Sequence, residues 1–169
     1  MQLSVQKALQ RQGERLEFRV ELGLEPFEFC GDQIAPCGPV LVEGHMMGVE
    51  DRIELDGVIH ASLKSSCVRC LSEAVLELRV PFTEKYLREP DEEEPDAFLY
   101  EASAVDLDQM VLGNLVMNLP VQILCKEDCK GLCPKCGKNL NEGPCDCDSE
   151  PLHSAFAVLK DLKLEEDEP

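Results

Sequence analysis

Six cysteines fall within 23 residues of this chain: Cys125, Cys129, Cys133, Cys136, Cys145 and Cys147. Thiolates are the ligands that zinc gathers in fours, at about 2.3 Å each. Two cysteines separated by two residues reach one ion because the turn between them folds back on itself. Cys133-Pro134-Lys135-Cys136-Gly137 is such a pair, and the small Gly137 lets backbone amides approach the sulfurs and offset their charge. Cys145 and Cys147 lie eight residues on, after a return turn at Gly143 and Pro144, and supply the complementary pair.

Cys67 and Cys70 repeat the two-residue spacing far upstream. That leaves two arrangements open. The pairs 67/70 and 133/136 face one another around a shared ion, as the halves of a zinc ribbon do, or the eight cysteines divide into two four-cysteine sites. Either way the expectation is one or two zinc ions. Four thiolates also suit an iron–sulfur cluster, and spacing does not separate the two. A redox pair belongs at a helix N-terminus, where the dipole lowers one thiol pKa, and neither pair has that setting. Cys30 and Cys37 have no partner pattern and read as ordinary thiols.

Catalytic constellations are missing from the sequence. It has no Gly-rich phosphate loop and no His-Glu-x-x-His run, and His45, His60 and His153 are scattered. His60 falls on the polar side of an alternating segment, where solvation is expected. The expectation is therefore a protein that is not an enzyme, with no catalytic residue and no small-molecule substrate.

The elements that must position the cysteines are legible from periodicity. Leu16, Phe18, Val20 and Leu22 alternate with charged residues, the period of a strand with one wet face. Residues 40–49 are a weaker strand. Residues 53–63 alternate cleanly, and alternation resumes at Ala74, Leu76, Leu78, Val80 and Phe82. The simplest joining is an antiparallel hairpin with Cys67 and Cys70 at its tip. Between the first strand and the weaker one at 40–49, residues 23–39 read as irregular. Six carboxylates in residues 89–96 repel one another and predict a mobile linker. Asp106 then caps a helix over 106–119, with Gln109 in the capping-box position and Met110, Leu112, Leu115, Val116 and Leu119 as its apolar stripe. A last short helix is expected over 151–161, before a frayed acidic tail. The fold class is α+β: an antiparallel sheet over residues 1–88, the linker at 89–97, and helices with the cysteine-rich metal-binding segment over 98–169, forming one integrated domain.

Thirty-four acidic residues against sixteen basic ones give a formal charge of -18. Such a field attracts basic partners and repels phosphate backbones. The only concentration of lysines is Lys126, Lys130, Lys135 and Lys138, diluted by Glu127, Asp128 and Glu142. No apolar run approaches the roughly 20 residues of a membrane helix, so no membrane partner is expected. Without a signal-peptide pattern the default compartment is a reducing cytoplasm, where cysteines serve as ligands rather than disulfides.

Cys67-Val68-Arg69-Cys70-Leu71, the string Cys125-Lys126-Glu127-Asp128-Cys129-Lys130-Gly131-Leu132-Cys133-Pro134-Lys135-Cys136-Gly137, and Asn139-Leu140-Asn141-Glu142-Gly143-Pro144-Cys145-Asp146-Cys147 together resemble the bacterial YceD-like family, the large ribosomal RNA subunit accumulation proteins. The resemblance implies a role in the accumulation or processing of 23S ribosomal RNA. Set beside the acidic charge, that process leads to the expectation of a ribosomal protein or a pre-ribosomal particle as partner, with direct RNA contact through the four lysines as the alternative. Cys67 and Cys70 match the family's central pair, and the six later cysteines match the string of its metal-site-bearing members.

Overall fold

Alternation in the first half of the chain becomes one antiparallel sheet with a single covered face. The structure is a computed structural model and describes residues 1–147; the helix expected over 151–161 lies outside them. In chain order the elements are β1 (Gln2–Ser4), α1 (Gln6–Gln10), β2 (Leu16–Leu22), β3 (Phe27–Phe29), β4 (Asp32–Pro36), β5 (Val40–Val49), β6 (Arg52–Ser66), β7 (Glu73–Leu87), β8 (Phe98–Leu99), β9 (Ala104–Asp106) and α2 (Asp108–Asn118). The fold is α+β, as expected.

β6 and β7 form the spine. They pair antiparallel along fifteen residues each, with Ile59 opposite Val80 and Leu63 opposite Leu76. β5 pairs the first part of β6 and β2 lies outside β5, with Phe18 opposite Gly44. One side of these strands is buried: Phe18, Leu22, Val40, Val42, Met46, Ile53, Leu55, Ile59, Leu63, Val80 and Phe82. Gly44 and Gly57 are register partners. A Cβ on Gly57 would stand 2.2 Å from the Glu43 carbonyl oxygen, so only glycine lets β5 and β6 approach this closely.

The outer face is zipped by charge. Arg15 pairs with Asp56, Arg19 reaches Glu43 at 3.5 Å, and Ser62 donates to Glu77 at 2.7 Å. His60 belongs to this face but is not simply solvated: its Nε2 is buried, 3.3 Å from a Glu43 carboxylate oxygen.

The irregular stretch expected over 23–39 contains a hairpin, β3 with β4, turning at Cys30 and Gly31 with φ of 52° and 87°. β4 then adds to β6 at Leu63 and Lys64. The helix expected from Asp106 begins at Asp108. Its N-cap position is Leu107, which offers no side-chain cap; Asp106, one residue earlier, accepts the Asp108 N–H at 3.0 Å. Met110, Val111, Leu115 and Leu119 are the buried residues, while Leu112 and Val116 of the expected stripe are half-buried.

Tyr86 aligns this helix with the sheet. Its ring stacks on Phe98 with centroids 5.3 Å apart, and its hydroxyl donates to the Asp106 carbonyl at 2.9 Å. Residues 89–96 carry no strand or helix, and Glu94 reaches back to Lys85 at 2.8 Å and Arg52 at 3.9 Å.

Candidate metal centre

The β6–β7 hairpin carries its first cysteine pair where two long strands must reverse. Cys67 donates its N–H to the Ser72 carbonyl at 2.8 Å, closing the tip, and Leu71 donates to the Cys67 carbonyl at 2.9 Å. Leu71 stands at φ 59°, a left-handed conformation that side chains avoid. The second pair repeats this turn. Gly137 donates to the Cys133 carbonyl at 2.8 Å and stands at φ 73°, which glycine adopts without penalty. Two pairs far apart in sequence thus share one knuckle geometry.

The polypeptide after α2 is drawn onto the hairpin tip. Val68 donates its N–H to the Ile123 carbonyl at 3.0 Å, and Leu132 donates to the Arg69 carbonyl at 3.0 Å. Cys125 and Cys129 lie on the segment between these anchors and so meet Cys67 and Cys70. The eight thiols fall into two groups: Cys67, Cys70, Cys125 and Cys129, and Cys133, Cys136, Cys145 and Cys147. Within each group every sulfur lies within 4.8 Å of the others. Of the arrangements the spacing left open, the space is divided as two sets of four, and the two knuckles do not face one ion. Cys30 and Cys37 belong to neither set and are exposed.

The donor set fits a tetrahedral thiolate site. Four ligands at about 2.3 Å around one ion lie about 3.8 Å from each other. Cys67 Sγ lies 3.8 Å from Cys129 Sγ, and Cys70 Sγ lies 3.5 Å from Cys125 Sγ. None of the ten cysteines forms a disulfide. Three thiols of the first group are buried and Cys125 is exposed. In the second only Cys133 is buried.

Electrostatics separate the thiols within each group. Burial opposes ionisation of Cys67, but hydrogen bonds from the backbone at Cys125, Arg69 and Cys70 outweigh it and bring the thiol down to about 6. Cys133 also falls to about 6, under hydrogen bonds from the backbone at Cys136 and Lys135. Cys70 is lowered chiefly by the Ser72 hydroxyl, 2.8 Å from its sulfur. Burial pushes Cys125 up to about 11, and hydrogen bonding with Cys136 pushes Cys147 up to about 12. Each group thus holds a thiol that ionises readily and one that resists adding further negative charge. A divalent cation removes that resistance.

Residue types alone did not reveal three supporting side chains. Ser72 sits beside Cys70, Arg69 donates from Nη1 to the Cys129 carbonyl at 3.0 Å, and Asn141 donates from Nδ2 to Cys129 Sγ at 3.3 Å. Ser72 and Arg69 were findable from adjacency to the knuckle. Asn141 carries no such signal, because its sulfur partner is 12 residues away.

Residues 55–163 match the sequence profile of the family described as large ribosomal RNA subunit accumulation protein YceD. The chloroplastic YCED homolog 1 of Arabidopsis thaliana, a large ribosomal RNA subunit accumulation protein, is 24% identical over 156 residues, 74% of this chain and 49% of that protein. An uncharacterized protein of Mycobacterium tuberculosis is 30% identical over 102 residues, 57% of this chain and 49% of that protein. The uncharacterized protein YlbN of Bacillus subtilis is 22% identical over 171 residues, spanning 99% of both chains. The chain thus spans about half the length of the plant and mycobacterial relatives. No solved structure matches it.

Proposed function

Because the chain belongs to the YceD family, we propose that it is a non-enzymatic factor supporting accumulation, processing or stability of 23S ribosomal RNA and assembly of the large ribosomal subunit. It does so by contacting a basic ribosomal protein. The observation that carries this reading is the span of the family match, residues 55–163, which takes in both four-cysteine groups.

The metal we assign is zinc, one ion for each group. Cys67, Cys70, Cys125 and Cys129 would hold the first, and Cys133, Cys136, Cys145 and Cys147 the second. Four protein thiolates fill the coordination sphere, so bound zinc supplies structure and offers no position to water or substrate. The residues themselves then fix where the chain goes: the first set ties the hairpin tip to the segment after α2, and the second closes the loop that follows. Ten unpaired cysteines suit the reducing cytoplasm, the compartment we propose.

Charge favours a protein partner over an RNA backbone. Strands β6 and β7 separate two ends of the sheet by about 45 Å. At the end away from the cysteines stand Glu50 and Asp51, in the β5–β6 turn, and the six carboxylates of residues 89–96. At the cysteine end the lysines are partly engaged: Lys126 lies 3.9 Å from Asp128, and Lys138 donates to the Pro144 carbonyl at 2.7 Å.

The test presents the purified zinc-loaded chain with immobilised ribosomal RNA and, separately, with purified large-subunit ribosomal proteins. Capture of a basic ribosomal protein without RNA retention is the expected result. Retention on RNA that falls steeply with salt, without protein capture, would overturn it in favour of direct RNA binding through Lys126, Lys130, Lys135 and Lys138.

A further inference from the structure

The two four-cysteine groups meet through one side chain. Asn141 lies in the loop between Cys136 and Cys145, both members of the second group, yet its amide nitrogen points at Cys129 of the first, 3.3 Å from Sγ. The orientation of that amide is fixed by its other contacts. Its Oδ1 accepts the backbone N–H of Lys130 at 3.0 Å, and a backbone N–H has nothing to offer the nitrogen. The side that faces the sulfur is therefore the donor. Asn139 Oδ1 accepts from both the Asn141 side chain, at 2.8 Å, and its backbone N–H, at 3.0 Å.

The loop is laid against the first group by backbone contacts as well. Leu140 donates to the Gly131 carbonyl at 2.9 Å, and Leu132 and Asn139 form an antiparallel bridge. Cys133 donates to the Lys138 carbonyl at 2.9 Å. Ordering of the segment between Cys136 and Cys145 is thus what brings an N–H to the Cys129 sulfur. A donor aimed at a ligating atom orients it and draws off negative charge, and removing such a partner costs on the order of ten- to a hundred-fold in metal affinity.

We infer that Asn141 is a positioning residue that couples two metal sites: an ion held by Cys133, Cys136, Cys145 and Cys147 orders the loop, and the loop's Asn141 strengthens the site at Cys67, Cys70, Cys125 and Cys129. The inference rests on the proposal that both groups hold metal. Coupling of this kind is reciprocal, so each ion tightens the other.

Cobalt(II) titrated into the full chain, stripped of metal under reducing conditions, reports both sites through thiolate–cobalt absorption. The parent should take up two equivalents in one steep step. Asn141→Asp keeps an oxygen for the Lys130 N–H and sets an acceptor against the sulfur; Asn141→Leu removes the donor without adding charge. Either should split the titration, with one equivalent bound as in the parent and one weakened on the order of ten-fold. The weakened step should vanish when Cys67→Ser and Cys70→Ser are added, which assigns it to the first site. In a chain carrying Cys145→Ser and Cys147→Ser, the first site should already be weakened by a similar factor, and Asn141→Leu should add little. Two equivalents binding in one unchanged step in both Asn141 variants would overturn the coupling alone. An equal further loss from Asn141→Leu in the Cys145→Ser, Cys147→Ser chain would also overturn it, because the donor would then act without the second ion. A parent that shows no thiolate–cobalt absorption would overturn the metal assignment and the coupling together.

Discussion

The two cysteine groups use one knuckle geometry and are built in opposite ways. The second is local, its four thiols confined to residues 133–147, with one buried, two half-buried and one exposed. The first joins residues 62 apart, across β7 and the whole of α2, and buries three of its four thiols. A site assembled from distant segments is an element of the tertiary fold: filling it fixes where the chain after α2 runs. A site assembled from one loop orders that loop and little else. The entropy of bringing ligands together grows with the length of chain between them, so the first site draws on the sheet and helix to hold its halves in place.

The largest expected effect comes from breaking the distant site. Cys67→Ser removes a buried thiolate and leaves a hydroxyl, a poor ligand for zinc, in its place. The protein should carry one zinc in place of two and lose more than about 4 kcal/mol of stability, as loss of a structural metal does. Zinc analysis and denaturant unfolding check both. Cys136→Ser should also cost one zinc, but the disturbance should stay local. Amide exchange should quicken across residues 130–147 while β6 and β7 keep their protection. If Cys67→Ser and Cys136→Ser each empty both groups, the contrast between long-range and local sites fails. If neither loses zinc, the assignment of these thiols as ligands fails.

That contrast also sets what could be read from the sequence. The grouping of Cys133 and Cys136 with Cys145 and Cys147 was legible because all four lie on one stretch with turn residues between the pairs. The grouping of Cys67 and Cys70 with Cys125 and Cys129 was not, because Cys129 lies as near in sequence to Cys133 as to Cys125. The choice is made by backbone bonds from Val68 to Ile123 and from Leu132 to Arg69, which no spacing encodes. The same division runs through the fold. The β6–β7 hairpin was legible because ten apolar positions between Ile53 and Phe82 keep a period of two, eight of them buried and Leu76 and Leu78 half-buried. The β3–β4 hairpin was hidden in a Gly- and Pro-rich stretch because its turn is Cys30-Gly31 rather than an Asn-Gly or Asp-Gly signal. β1, β8 and β9 are two or three residues long and too short to show a period.

The matched knuckles allow a finer comparison. Gly137 and Leu71 hold equivalent positions, each with positive φ and each donating to the first cysteine's carbonyl. Leucine in this conformation costs about 1–2 kcal/mol, and Leu71 is 68% exposed, so its side chain gives little burial in return. Leu71→Gly should relieve that strain against glycine's entropic cost of roughly 0.5–1 kcal/mol. The net gain should be about 0.5–1 kcal/mol, with zinc content unchanged. A loss of stability on denaturant unfolding would mean that the Leu71 side chain serves a contact the knuckle geometry does not explain.

The smallest effect belongs to the opposite end of the spine, where the chain is held by ion pairs instead of thiols. Glu94 bridges Lys85 and Arg52, and its side chain is 25% exposed against 45% and 39% for its partners. Pairs this open to water contribute roughly 0–1 kcal/mol. Glu94→Gln keeps the shape and removes the charge, so global stability should fall by less than about 1 kcal/mol and both zinc ions should remain. The local consequence should be plainer than the global one. The remaining carboxylates of residues 89–96 still repel one another, and Glu94 is the one among them that reaches two cations on the spine. Without it, limited proteolysis should cut this segment faster than in the parent and leave the hairpin and cysteine segment intact. Equal cleavage rates in the two proteins would show that these ion pairs do not tie the segment down, and that its placement rests on the turns at Asp91 and Glu94, whose carbonyls accept from Glu94 and Ala97 at 3.2 and 3.1 Å.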